Sequence, residues 1–156
     1  MWHFKENGRY LNEEEELCCE PFEVIVSTYG GSAMEMFAIY DTMRMIREEC
    51  EIQTIGLGKV MSAGVLLLAA GNKGSRKIGK NCRVMIHSVI GGQHGPVHNL
   101  ENELEEVKWI QEQYIDALKE ETNMTKKYIK KLLERKVNVY LTAKEAVELG
   151  IADEVV

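Results

Sequence analysis

The sequence predicts an α/β domain built on a parallel or mixed sheet. Three observations carry that expectation. Short β-branched runs alternate with segments whose apolar residues recur at helical spacing. Short glycine turns join the two kinds of segment, as parallel crossover units require. No internal repeat, low-complexity tract or linker interrupts the pattern.

The elements follow in order. Residues 1–21 are polar, irregular and acidic, and the run Glu13-Glu14-Glu15-Glu16 reads as a solvated segment. "FEVIVS" from Phe22 reads as a buried strand, and "TYGG" as the turn after it. In the next segment Met36, Ile39, Tyr40, Met43 and Ile46 mark one face of a helix. Ser32 and Glu35 supply a capping box at its start. "IQTIGLG" (52–58) is the second strand, and "MSAGVLLLAAG" a second helix that is apolar on nearly all sides. Ile78 fits a short hairpin, and "RVMIHSV" (83–89) is the third strand. After the glycine-rich break at 91–95 comes a long amphipathic helix with Leu100, Leu104, Val107, Ile110, Tyr114 and Leu118 on its apolar stripe. A lysine-rich helix, the strand "VNVYL", a helix capped by Thr142 and Glu145, and a final strand "IADEVV" complete the chain.

Composition narrows the function. At 156 residues the chain is long enough for one domain with a sizeable core. Its net charge of -6 argues against nucleic acid as the main partner, because phosphate binding needs a basic face. The longest apolar run, 64–71, is too short to span a bilayer. Four cysteines (Cys18, Cys19, Cys50 and Cys82) accompany no secretory leader pattern and no zinc-site spacing. All four are expected as reduced thiols in a cytoplasmic protein.

Three features could carry chemistry. Gly30-Gly31 lies between a strand and a helix, where backbone N–H groups can bind an anion or a developing oxyanion. Ser62 opens the buried helix. It is a natural N-cap, and it is also placed as a nucleophile beside Ala63 and Gly64, with the Ala63 N–H aimed where an oxyanion would form. His87 ends the third strand, at the carboxyl edge where sites of α/β sheets assemble. Side by side, the three would make an oxyanion hole, a nucleophile and a general base. His94 and His98 stand four apart, but Gly95 and Pro96 lie between them, so no metal is expected. Lys59, three residues before Ser62, reads as a solvated turn lysine rather than a second base.

Four segments in order, "YGGSAMEMFAIYDTM", "GKVMSAGVLLLAAG", "RVMIHSVIGG" and "YLTAKEAVELGIADEV", resemble the proteolytic subunit of the Clp protease. The resemblance runs from about Phe22 to Val156. It implies a crotonase-like, Clp-type α/β fold with a mixed sheet, flanking helices and a protruding handle helix. It also implies a serine-type endopeptidase that cleaves peptides or unfolded proteins inside a ring-shaped chamber. On that mapping Ser62 is the nucleophile and His87 the general base. Gly31 and Ala63 supply the oxyanion N–H groups, and neither cofactor nor metal is needed. The helix from about Val97 to Glu120 matches the handle joining two stacked heptameric rings, and a Clp ATPase is the partner that would make proteolysis ATP-dependent.

Two departures are specific. The family's triad aspartate, two residues before the aromatic at Tyr140, is Asn138 here. Its side-chain oxygen can accept from the imidazole but cannot stabilise the imidazolium by charge. Residues 1–21 form a short divergent N-terminal segment where the family carries a longer one that meets the ATPase, leaving 22–156 as the peptidase domain. Two alternatives stay open: a structural ring subunit partnering an active paralogue, and an acyl-CoA enzyme of the crotonase-like fold.

Overall fold

The computed structural model describes residues 3–5, 9–11, 17–92, 94–134 and 138–156. The acidic run Glu13–Glu16, Gln93 of the glycine-rich break and Val137 of the expected "VNVYL" strand lie outside them.

The organising strand is the second one of the main sheet. β4 (Phe22–Thr28) and β5 (Ile52–Met61) pair in parallel, from Phe22 opposite Ile52 to Thr28 opposite Val60. β5 does not stop at Gly58, where the sequence pattern ends. Gly58 takes φ 67°, and the β4 register shifts between Val26 and Thr28, so the glycine bends the strand instead of ending it. The bend lets β5 hold two different neighbours. Thr54–Gly56 pair with β6 (Arg76–Ile78), and Lys59–Met61 pair with β7 (Arg83–Ile86). β9 (Glu154–Val155) runs parallel to β6, and β8 (Val139–Leu141) runs antiparallel to β7, so the sheet is mixed as expected.

Two expectations are corrected here. Ile78 is not in a hairpin, because β6 has a parallel neighbour on each side. The N-terminal segment is not irregular throughout. β1 (His3–Lys5), β2 (Arg9–Leu11) and β3 (Leu17–Cys19) form a separate antiparallel sheet. Strands of three residues are too short to show alternation.

Among the described residues there are five helices. In α1 (Ala33–Ile46) the Ser32 hydroxyl accepts from the Glu35 N–H, so one half of the expected capping box forms. α2 (Ala63–Ala69) is buried at Gly64, Val65, Leu66, Leu68 and Ala69. Each of its larger aliphatic side chains contributes about 1.5–3 kcal/mol of burial. α3 (Val97–Glu121) divides its stripe: Tyr114 and Leu118 are buried, whereas Leu100 and Leu104 are exposed. α4 (Lys126–Leu133) buries Ile129, Leu132 and Leu133. α5 (Ala143–Glu148) carries the complete Thr142–Glu145 box. Among the described residues no helix is long and apolar enough to cross a membrane.

At the C-terminal ends of α2 and α3 lies a partly buried ionic network. Arg76, 3% exposed, donates to the carbonyls of Ala69 and Glu121 and pairs with Asp153. Arg47 grips the Glu121 carboxylate with both terminal nitrogens, at 2.8 and 2.7 Å, and also reaches the Ala70 carbonyl. The Tyr40 hydroxyl donates to the same carboxylate at 2.8 Å. Both arginines therefore sit at helix C-termini, where carbonyls lack partners and the dipole favours a cation.

Cys19 and Cys50 form a disulfide, which overturns the expectation of four reduced thiols; Cys82 is free and buried. The fold explains the pairing. Cys19 lies just before Phe22 and Cys50 just before Ile52, and those two residues are partners in the sheet. The cysteines' Cα atoms are consequently 5.2 Å apart.

Two outcomes are expected. Reducing this bridge, whose cysteines are 31 residues apart, should lower unfolding stability by about 3 kcal/mol in denaturant titrations. Glu121 gives the second. Burial pushes its carboxyl up, but hydrogen bonds from Arg47 and Tyr40 outweigh that and hold it below its ordinary 4.5. A carboxyl depressed in the fold stabilises above its unfolded pKa, and that stability is lost as pH falls through the folded value. Stability should therefore fall as pH drops below 4.5, and less steeply in Glu121→Gln. Arg47→Met at neutral pH should cost about 3 kcal/mol, because it strands a buried carboxylate.

Candidate active site

Ser62 stands where β5 ends and α2 begins. Its backbone takes φ 55° and ψ -121°, and it is the one non-glycine residue with positive φ among the described residues. Such a conformation persists only when the surroundings hold it. Its N–H donates to the Met85 carbonyl of β7 at 2.8 Å. Its carbonyl accepts from the Val65 N–H at 3.0 Å and from the Tyr114 hydroxyl at 3.2 Å. The Ser62 side chain makes no capping bond to α2, so the N-cap reading is not realised.

Gly30 packs directly onto this turn. It has φ 103°, and a Cβ there would stand 2.5 Å from Ser62 Cβ and 3.0 Å from both Ser62 Oγ and the Met61 carbonyl. Its N–H is held by the Thr28 hydroxyl at 3.0 Å. Gly31, with open space around it, borders the cavity instead. The glycine pair thus divides into one residue for close approach and one facing the cavity.

That cavity has a volume of about 310 Å³. Gly31, Ser62, Ala63 and His87 all line it, so the sheet brings together the residues expected from three distant motifs. Met36 and Tyr114 form an apolar wall. Tyr29 stands at the rim, with the Lys59 ammonium 4.5 Å from its ring centre, and Lys59 itself does not line the cavity.

His87 follows the last paired residue of β7. Its Nδ1 meets the carbonyl oxygen of Ser88, the next residue along the chain. A carbonyl can only accept, so in the neutral imidazole this contact favours the tautomer with its proton on Nδ1 and Nε2 as the acceptor. The segment after it is tied to α3, because the Val89 N–H donates to the Gln111 side chain at 3.2 Å.

Asn138 sits apart from this arrangement. The β7–β8 ladder pairs Ile86 with Val139, so one further step of the register would set His87 opposite Asn138. The strands end before that step. Asn138 is exposed, does not line the cavity, and its side chain has no hydrogen bond to the described residues. Around His94 and His98, as elsewhere among the described residues, no three His, Cys, Asp or Glu side chains converge to hold a metal.

Tyr114 and the Ser88 carbonyl are the site groups that motif reasoning misses. A backbone carbonyl leaves no trace in a sequence. Tyr114 does leave one: it is the only stripe position of α3 whose side chain carries a hydroxyl, and a buried hydroxyl needs a partner.

An α/β fold with a mixed sheet, flanking helices and one long, partly outlying helix defines the structural class. Within it, the family model described as Clp protease matches residues 10–156, and the chain belongs to the Clp protease family. That membership supports a Clp-type peptidase in general terms.

The packing at Gly30 gives a direct expectation. Gly30→Ala combines a strained φ with a clash against Ser62, and should destabilise by about 2–3 kcal/mol. The midpoint of denaturant unfolding checks it, with Gly31→Ala, which meets open space, as the milder comparison.

Proposed function

We propose that this chain is a serine-type endopeptidase in which Ser62 is the nucleophile and His87 the general base. The observation that carries the reading is the strained turn at Ser62, held open to a cavity that His87, Gly31 and Ala63 also line. A serine that neither caps its helix nor relaxes to an ordinary backbone conformation needs another reason for its geometry.

In this mechanism Ser62 Oγ attacks the peptide carbonyl, and its proton passes to His87 Nε2. The N–H groups of Gly31 and Ala63 stabilise the oxyanion. His87 returns the proton to the departing amine, and the C–N bond breaks to leave an acyl-serine. Water, deprotonated by His87, releases the acid and restores the hydroxyl. The Ser88 carbonyl holds the imidazole in the required tautomer, a task the family gives to a carboxylate. It carries a partial charge only, so it supports the imidazolium less than a carboxylate does. Peptides and unfolded chains are the substrates that reading favours. Stacked heptameric rings and a docked Clp ATPase remain part of the same proposal, resting on family membership.

A second reading has one observation in its favour. Asn138 is exposed and its side chain makes no hydrogen bond to the described residues, as in a subunit that lends structure to a ring while an active paralogue cleaves.

A serine-directed fluorophosphonate and a short fluorogenic peptide decide between them. Wild type is expected to label and to cleave, and Ser62→Ala to do neither. Asn138→Ala should keep kcat within about threefold of wild type, because Asn138 bonds to nothing in the site. A wild type that neither labels nor cleaves, as monomer or assembled ring, would leave the structural-subunit reading.

A further inference from the structure

We propose that Tyr114 is a positioning residue for the Ser62 turn: its hydroxyl holds the Ser62 carbonyl and thereby aims both the nucleophile and the Ala63 N–H. The inference deepens the serine-peptidase reading and rests on it.

The geometry begins with the peptide between Ser62 and Ala63. That unit is planar and trans, so its carbonyl and its N–H point in opposite directions. Fixing the Ser62 carbonyl fixes the direction of the Ala63 N–H. Two donors fix it, from two separate elements. Val65 donates from within α2 at 3.0 Å, and Tyr114 donates from α3 at 3.2 Å. The Val65 bond belongs to the opening turn of the helix. The Tyr114 bond is different in kind, because it comes from a residue 52 positions away.

Ser62 has reason to need an outside hold. Its φ of 55° and ψ of -121° are unfavourable for a residue with a Cβ, and relaxation would rotate this same peptide. On the opposite side Gly30 blocks movement by contact, while the Met85 carbonyl fixes the Ser62 N–H. Tyr114 completes the enclosure at the carbonyl.

Tyr114 is well made for this. It is 4% exposed, and its ring is one wall of the cavity that Ser62 and His87 line. Burial pushes its hydroxyl well above the ordinary tyrosine value of 10.0, so it stays protonated and able to donate. Its neighbour Ile115 and, one turn on, Leu118 are fully buried, which fixes the helix that carries it.

The test separates the hydroxyl from the ring. Tyr114→Phe keeps the cavity wall and removes the donor. Its kcat for a fluorogenic peptide should fall about three- to tenfold, the cost of one neutral hydrogen bond. KM should stay within about twofold, and the pH dependence of kcat should keep its midpoint, since His87 is untouched. Fluorophosphonate inactivation should slow by the same factor as kcat, because its phosphoryl oxygen uses the same N–H groups. Tyr114→Met fills the space flexibly without a donor and supplies a second folded variant, whose inactivation rate should slow similarly. A folded donor-free variant with wild-type kcat and inactivation rate would overturn the proposal. So would a loss carried by KM in Tyr114→Phe. If wild-type protein is not labelled at Ser62 at all, the nucleophile reading fails first, an outcome distinct from a labelled wild type and an unchanged Tyr114→Phe.

Discussion

The burial of α2 is the constraint on which the rest of the structure depends. A seven-residue helix closed in on nearly every side cannot satisfy its end groups with water. At its C-terminus the solution is ionic. Arg76 and Arg47 reach the carbonyls of Ala69 and Ala70. Arg76 is buried and Arg47 partly so, with Asp153 and Glu121 as their counterions, and Glu121 in turn engages Tyr40. A chain of such pairs is costly to bury and costly to interrupt, so it ties α1, α2, α3 and the C-terminal segment into one arrangement.

At the other end of α2 the same burial produces the site. β5 delivers the chain to the helix with no loop between them, since Met61 ends the strand and Ala63 starts the helix. A single residue must make the turn, and Ser62 makes it in a conformation that glycine would adopt more easily. Serine there keeps a hydroxyl at the mouth of a cavity at the cost of backbone strain. Contacts from Gly30, Met85 and Tyr114 hold that strain in place, and they come from the β4–α1 turn, β7 and α3. The position of the hydroxyl is thus a property of the whole sheet edge.

Much of this is legible in the sequence, for reasons that differ from residue to residue. α1 and α3 announce themselves because amphipathic spacing sustained over fourteen or more residues is a helical period and cannot be a strand's. Ser62, Gly31 and His87 can be joined because each sits at a strand end, and strand ends in a parallel arrangement share an edge. Pairing partners are harder to read. Ile78 looks like half of a hairpin because its parallel neighbours are far away in the chain. Cys19 and Cys50 look unrelated because only the alignment of Phe22 with Ile52 brings them together. Asn138 can be aligned with His87 by counting, and the register agrees to within one step, but counting does not reveal that the ladder stops short.

The orientation of His87 follows from that early stop. A histidine inside a continuous antiparallel ladder would have its backbone committed to the neighbouring strand, and a cross-strand side chain would be its natural partner. Pairing ends at Ile86, and beyond it the imidazole Nδ1 of His87 meets the carbonyl of Ser88. The next residue along the chain then supplies an acceptor that a distant side chain would otherwise provide. It gives direction without a full charge. In the proposed mechanism an asparagine at 138 costs little in geometry, since the Ser88 carbonyl already meets the ring. What the proposed mechanism lacks is the electrostatic support of a carboxylate for the imidazolium, a deficit that would fall on the transition state rather than on the resting arrangement.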